Sequence, residues 1–280
     1  GEFRHYGISR EQFYKNHKAG SGRMYSATPY RGWIMKITPE GKTIPFAPGF
    51  RSPNGVNFDS QGRLWVTDNQ GDWLGTSKLF HVKEGNFYGH PASLVWTKEW
   101  EKGRNPLKVP PSEFDKKRTR ASVLFPQGSM ANSPSQPVPD SSNGKFGPFD
   151  GQLLVGEFTN SSVNRVFLEK VDGEYQGACF PFLKDFPAAV IRLSFAPDGS
   201  LFFSDFYNDT SRRTNQLSGT IYRITRKEQP NPRPPKIDFD SDAGLVAALQ
   251  SPARNVRTVA VNKLVTRGDT VFGQMQQLFE

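Results

Sequence analysis

Four histidines and one cysteine have the widest chemical reach in this 280-residue chain, since they can serve as nucleophile, proton carrier or metal ligand. Their spacing excludes two common uses. There is no Cys-x-x-Cys-His haem-attachment run, and no Cys/His spacing suits zinc. Cys179 is the single cysteine, so an internal disulfide is excluded; flanked by Ala178 and Phe180, it is expected to be buried and inert. His5 and His17 have no neighbouring carboxylate to set a tautomer. His81, at strand alternation beside Phe80, reads as a packed or rim residue. Trp33, Trp65, Trp73, Trp96 and Trp100 read as packing residues, although Trp73 and Trp96 lie in loops where an indole can stack on a carbohydrate.

The elements that must position these groups show themselves by repetition. Phe58-Asp-Ser-Gln-Gly-Arg-Leu-Trp-Val-Thr-Asp68 is echoed by Phe195-Ala-Pro-Asp-Gly-Ser-Leu-Phe-Phe-Ser-Asp205. Each is a strand end, a turn closed by Gly62 or Gly199, and an apolar strand ending in Asp. A residue that tolerates positive φ is what such a hairpin turn needs. Gly32 to Ile37 and Gly219 to Ile224 form a second echo, with Val163 to Phe167 a looser copy, all with strand alternation. Recurring strand–turn–strand units, with 13% aromatics, 26 Gly and 22 Pro, predict an all-β chain built from propeller blades of four strands. A β-sandwich is the competing reading, but sandwiches do not usually repeat one hairpin together with one outer-strand motif. The two hairpins are separated either by three blades or by two with an insertion; the Pro-, Ser- and charge-rich stretch 98–150 favours the insertion.

Blades are expected over 1–228 and a Pro-rich linker over 229–240, because four prolines between Arg226 and Pro235 permit neither helix nor central strand. The period then becomes helical over 241–280. Leu245, Val246 and Leu249 share a face; Ser251 is expected to cap a helix with Val256, Val259, Ala260 and Leu264 along one side. Gly268 stops it, and Asp269 caps a third helix. This segment looks like the start of a HEAT-type repeat, which cannot bury its own faces as one pair, so the parent protein is expected to continue. The formal charge of +9 is scattered, with short clusters such as Lys116-Lys117-Arg118, so a nucleic-acid partner is not expected. No apolar run is long enough to cross a membrane as a helix. The first residues lack the pattern of a signal peptide, and the opening Gly1 suggests a processed or excised piece.

Three stretches carry a resemblance: Gly49-Phe-Arg-Ser-Pro-Asn-Gly-Val-Asn-Phe58, Leu64-Trp-Val-Thr-Asp-Asn-Gln-Gly71 and His81-Val-Lys-Glu-Gly-Asn-Phe-Tyr-Gly-His-Pro91. In order and spacing they resemble the glucose/sorbosone dehydrogenase family, and the likeness continues through 147–155 and 190–199. It is similar to a bacterial branch that joins the propeller to HEAT-like repeats and often to a cytochrome domain. The resemblance implies a six-bladed propeller, of which this chain is part, and sugar oxidation with pyrroloquinoline quinone (PQQ) and calcium. It also implies a small-molecule or carbohydrate ligand and a periplasmic or extracellular location.

Carried over residue by residue, the resemblance places Arg51 and, offset by about one position, Arg192 at the cofactor. A guanidinium can hold a carboxylate or quinone oxygen of PQQ bidentately, although Arg51 can equally form an internal ion pair. Asp68, Asn69, Gln70 and Gly71 fall on the loop that helps to hold calcium, a hard cation that takes oxygen ligands. His90 replaces the aromatic of a Tyr-Gly-Trp-Pro turn and can face the central cavity. Thr76-Ser77 stands where the family has an acidic pair, and Thr159 where it has a lysine near the cofactor. The family's general-base histidine belongs to an earlier blade, so no catalytic base is assigned and the chain by itself is expected to be inactive; a missing base alone costs ~10²–10⁴ in rate. A non-catalytic propeller module that binds a glycan or a protein is the alternative reading.

Overall fold

A strand with apolar residues at consecutive positions has no face to give to water, so it must lie between two layers. Among the described residues two strands meet that condition. β4 (Leu64–Asp68) and β8 (Leu153–Glu157) are buried at every position. The computed structural model describes residues 30–70, 74–101, 104, 109–206 and 219–276. In it β1 (Trp33–Ile37) pairs with β2 (Thr43–Pro48). The strands β3 (Pro53–Phe58), β4, β5 (Ser77–Val82) and β6 (Val123–Phe125) form an antiparallel meander. A second meander holds β7 (Pro134–Pro139), β8, β9 (Ser162–Val171) and β10 (Glu174–Leu183). A third sheet holds β11 (Ala189–Phe195), β12 (Leu201–Phe206) and β13 (Ile221–Ile224).

The sheets stack face to face in chain order. Trp65 of β4 and Leu79 of β5 pack against Leu153, Val155 and Val166 of the second meander. Leu154, one residue along β8, points the other way and packs with Val190, Leu193 and Phe203 of the third sheet. Leu64 and Val66 of β4 face Ile34 and Ala47 of the first pair. The first strands of the three larger sheets lie side by side, β3 against β7 and β7 against β11. Successive antiparallel meanders whose first strands lie side by side in this way are blades of a β-propeller, and the chain is all-β over this region as its repeats predict. The echoing hairpins are β3–β4 and β11–β12, turned at Gly62 (φ 75°) and Gly199 (φ 86°), with one complete meander between them.

The stretch 98–150, read as an insertion, overlaps a long excursion in its first part and forms blade strands in its later part. It supplies α1 (Pro111–Asp115), the last strand of one meander, β6, and the first strand of the next, β7. The long excursion is the connection from β5 to β6, at 83–122; it carries a 3₁₀ turn over Pro91–Trp96 and a small core of Phe87, Val109 and Phe114.

Beyond the prolines, α2 (Asp242–Ala248) is capped by the Ser241 hydroxyl, which accepts from the Gly244 N–H at 3.0 Å. α3 (Arg254–Arg267) stops at Gly268, whose φ is 62°, and is followed by a 3₁₀ turn and α4 (Phe272–Gln276). The cap of α3 differs from expectation: Ala253 holds that position, and the Ser251 hydroxyl accepts from the Ala253 N–H, ahead of the helix. Val256, Ala260 and Leu264 are buried as read, whereas Val259 is exposed because its position faces away from α2. The helices dock on the blades through Arg254 Nη1 to Asn57 Oδ1 at 2.9 Å and Ser141 Oγ to the Pro252 carbonyl at 2.9 Å.

Candidate functional site

The site starts from the end of β4. Asp68 closes that strand opposite Pro53, the first residue of β3. The two residues before Pro53 turn their main-chain N–H groups onto its carboxylate, Arg51 N to Oδ2 at 3.0 Å and Ser52 N to Oδ1 at 2.7 Å. Lys78, opposite Asp68 on β5, brings its ammonium within 3.8 Å of Oδ2 and donates to the Asn69 carbonyl at 2.9 Å. Both side chains are almost wholly buried. Burial pushes the Asp68 carboxyl up and the Lys78 ammonium down, and each is partly restored by the charge of the other.

His90 borders the same small space, about 10 Å³, with Gly49, Arg51, Leu74 and Tyr88. It is only 5% exposed, and neither ring nitrogen has a hydrogen-bond partner among the described residues. Its main-chain N–H is tied to the Gly49 carbonyl at 2.8 Å, which holds the residue beneath the Arg51 turn. Burial first, then the charges of Lys78, Arg31 and Arg51, push its pKa down to about 3, so the imidazole is neutral. A neutral imidazole at such a pKa donates or accepts hydrogen bonds but does not store a proton at neutral pH.

The structure therefore brings together Arg51, Asp68, Asn69 and His90, and adds Lys78, which sequence reasoning passed over. One signal was present: a lysine between Ser77 and Leu79, in a strand with no solvent face, needs a buried counter-charge. Arg192 is not part of this cluster. It lies exposed on β11, and its guanidinium donates to the neighbouring Ile191 carbonyl at 2.9 Å. Gly71, Trp73, His5 and His17 lie outside the described residues. Thr159 makes no hydrogen bond to this cluster among the described residues. His81 packs between Trp65 and Tyr175. Cys179 differs from its reading as buried: it sits half-buried on β10, a strand whose outer half is open to water.

The oxygens of the Asp68–Gln70 turn do not fit a calcium ion, which takes six to eight oxygens. Asp68 is engaged by two N–H groups and Asn69 O by the Lys78 ammonium, which leaves Asn69 Oδ1 as a buried oxygen without a partner among the described residues, far short of such a set. The Gln70 side-chain oxygen accepts from Ser77 Oγ at 3.3 Å. Among the described residues no group of three or more acidic, histidine or cysteine side chains is placed to hold a metal. An anionic group fits better. Arg31, Arg51 and Lys78 all act on His90 as positive charges, against the one carboxylate of Asp68, and the imidazole nitrogens are unpaired.

No protein-family model matches the chain, and no curated protein does. Among solved structures it is similar to a putative oxidoreductase (glucose dehydrogenase) from Thermus thermophilus. That match has 19% identity and a TM-score of 0.48, covering 69% of this chain and 55% of the other. It is also similar to the PQQ-bound form of aldose sugar dehydrogenase from Streptomyces coelicolor (17%, TM-score 0.43, 69% and 51%). A third is the PQQ domain of pyranose dehydrogenase from Coprinopsis cinerea (14%, TM-score 0.41, 58% and 53%). The chain spans about half the length of these proteins.

Proposed function

We propose that this chain is part of an oxidoreductase-like propeller of the quinoprotein sugar dehydrogenase type, and that it contributes an anion-holding corner to a PQQ site. The observation that carries the reading is the arrangement of Arg51, Lys78 and neutral His90 around one small space at the end of β4. The order of the Gly-Phe-Arg, Trp-Val-Thr-Asp-Asn and Phe-Tyr-Gly-His-Pro motifs supports it. PQQ, when bound, supplies an o-quinone that takes a hydride from an alcohol or hemiacetal carbon of a sugar.

The space of about 10 Å³ admits nothing larger than a water molecule, so the cofactor would lie over it. Arg51, half-buried, would hold a carboxylate from the solvent side. Lys78 lends that position positive charge from below, and Asp68 holds the Arg51–Ser52 main chain, which fixes where the Arg51 side chain leaves the backbone. His90 closes the floor. Arg192 belongs to the same proposal as a contact from the third sheet. A cytochrome partner, HEAT-like repeats and a periplasmic or extracellular setting complete it for the whole protein.

Calorimetric titration of PQQ into the chain tests the reading, with Arg51→Ala as the control. Binding that weakens ~10-fold or more in the variant is expected, since a charge-assisted bond contributes ~1.5–3 kcal/mol. The alternative, a non-catalytic module that binds a glycan or protein, is favoured by two observations. The Asp68 carboxylate and the Asn69 main-chain carbonyl are already taken by protein donors, and Arg192 lies apart from the cluster. Failure of PQQ to bind would leave that reading in place.

A further inference from the structure

We propose that the Lys78 ammonium is a built-in cation at the end of β4, occupying the oxygen set that a metal ion would otherwise need, so that this turn holds its shape independently of divalent metal. Two oxygens of the kind a hard cation takes, a carboxylate and a main-chain carbonyl, converge on one point. The group standing there is Nζ of Lys78, 2.9 Å from Asn69 O and 3.8 Å from Asp68 Oδ2. Both side chains are sealed from water, at 3% and 2% exposure, so the ammonium does not exchange with a solvent ion without the strand opening.

The next meander shows that a carboxylate at this position can be held otherwise. Glu157 ends β8 as Asp68 ends β4, and accepts from Asn132 N at 2.9 Å and Ser133 N at 2.5 Å. Its third donor is the Asn160 N–H, from the loop that follows. The residue opposite Glu157 is Ser162, where Asp68 faces Lys78. One carboxylate thus takes a third main-chain N–H, and the other takes an ammonium from across the sheet. The lysine does for the Asp68 turn what the following loop does for Glu157.

Thermal unfolding of the native chain in millimolar calcium and in chelator tests this without PQQ, so the result is independent of the cofactor reading. The same Tm in both is expected. A calcium-dependent rise in Tm that Asp68→Asn abolishes would overturn the proposal. Two variants probe the ammonium itself. Lys78→Ala is expected to unfold at lower temperature and to be partly rescued by n-propylammonium, which leaves the native chain unchanged. Lys78→Met, which keeps the length and loses the charge, is expected to unfold below the native chain. A Lys78→Met chain as stable as the native one would show that the charge contributes nothing, and would sink the idea. Should Lys78→Ala fail to fold, the native-chain comparison and Lys78→Met still decide.

Discussion

Asp68 and Glu157 hold equivalent places in consecutive sheets, each ending a second strand opposite the proline that opens the first. Pro53 faces Asp68, and Pro134 faces Glu157. Each carboxylate accepts the main-chain N–H groups of the two residues before its proline. Those N–H groups lie where the chain enters the blade and are not part of a ladder, so the buried carboxylate gives these part-buried donors a fixed acceptor. Proline at the next position donates nothing, which leaves the two preceding groups as the ones that need an acceptor.

Glu157 is therefore a sensitive position. It is fully buried and accepts three main-chain N–H groups. Glu157→Gln turns an amide donor towards one of those donors. A loss of ~1–3 kcal/mol is expected, read as a lower urea midpoint with unchanged slope.

Close approach between the first strands gives a second prediction. A Cβ added to Gly55 would meet Ser135 O at 2.3 Å and Thr67 Oγ1 at 2.5 Å. The Thr67 hydroxyl meanwhile donates to Ser135 O at 2.7 Å, tying one sheet to the next. Gly55→Ala should push β3 from β7 and destabilise by ~1–3 kcal/mol, against a smaller change for Gly75→Ala, where an added Cβ meets nothing within 4 Å. Chemical denaturation of both variants checks this.

Burial of His90 predicts acid sensitivity. Its folded pKa is about 3, below the ordinary value of 6.5, so between those values the unfolded chain binds a proton that the folded chain refuses. The stability this residue allows is complete above about pH 6.5 and is lost as pH falls towards 3, by at most ~1.4 kcal/mol per pH unit. His90→Phe should flatten the dependence by about one proton, seen in urea midpoints at about pH 7 and about pH 5. His81, whose pKa burial also lowers, remains in both chains, so the difference reports His90.

The parts of the fold that were legible are those with local causes. A glycine at a positive-φ turn between apolar runs marks both hairpins, and the prolines before Ile237 mark where strands stop. β7 was not legible. Its sequence, Pro134-Ser-Gln-Pro-Val-Pro139, reads as loop because three of six residues cannot donate to a ladder. It forms because β7 is the edge of its sheet, where half of the N–H groups have no partner strand. At the site, motif order singled out Arg51 and Asp68, but Asp68 as a calcium ligand and not as the acceptor of the Arg51 and Ser52 N–H groups. Lys78 was not singled out, since its role depends on lying across β4 and β5 from Asp68, a register that spacing alone does not specify.

The most direct test of the central claim is calorimetric titration of PQQ into the native chain and Arg51→Ala, each in calcium and in chelator. The predicted result is binding by the native chain, equal in both buffers, and at least ~10-fold weaker in the variant. Absence of binding by the native chain in either buffer, or affinity untouched by Arg51→Ala, would contradict the assignment of this corner to a quinone cofactor.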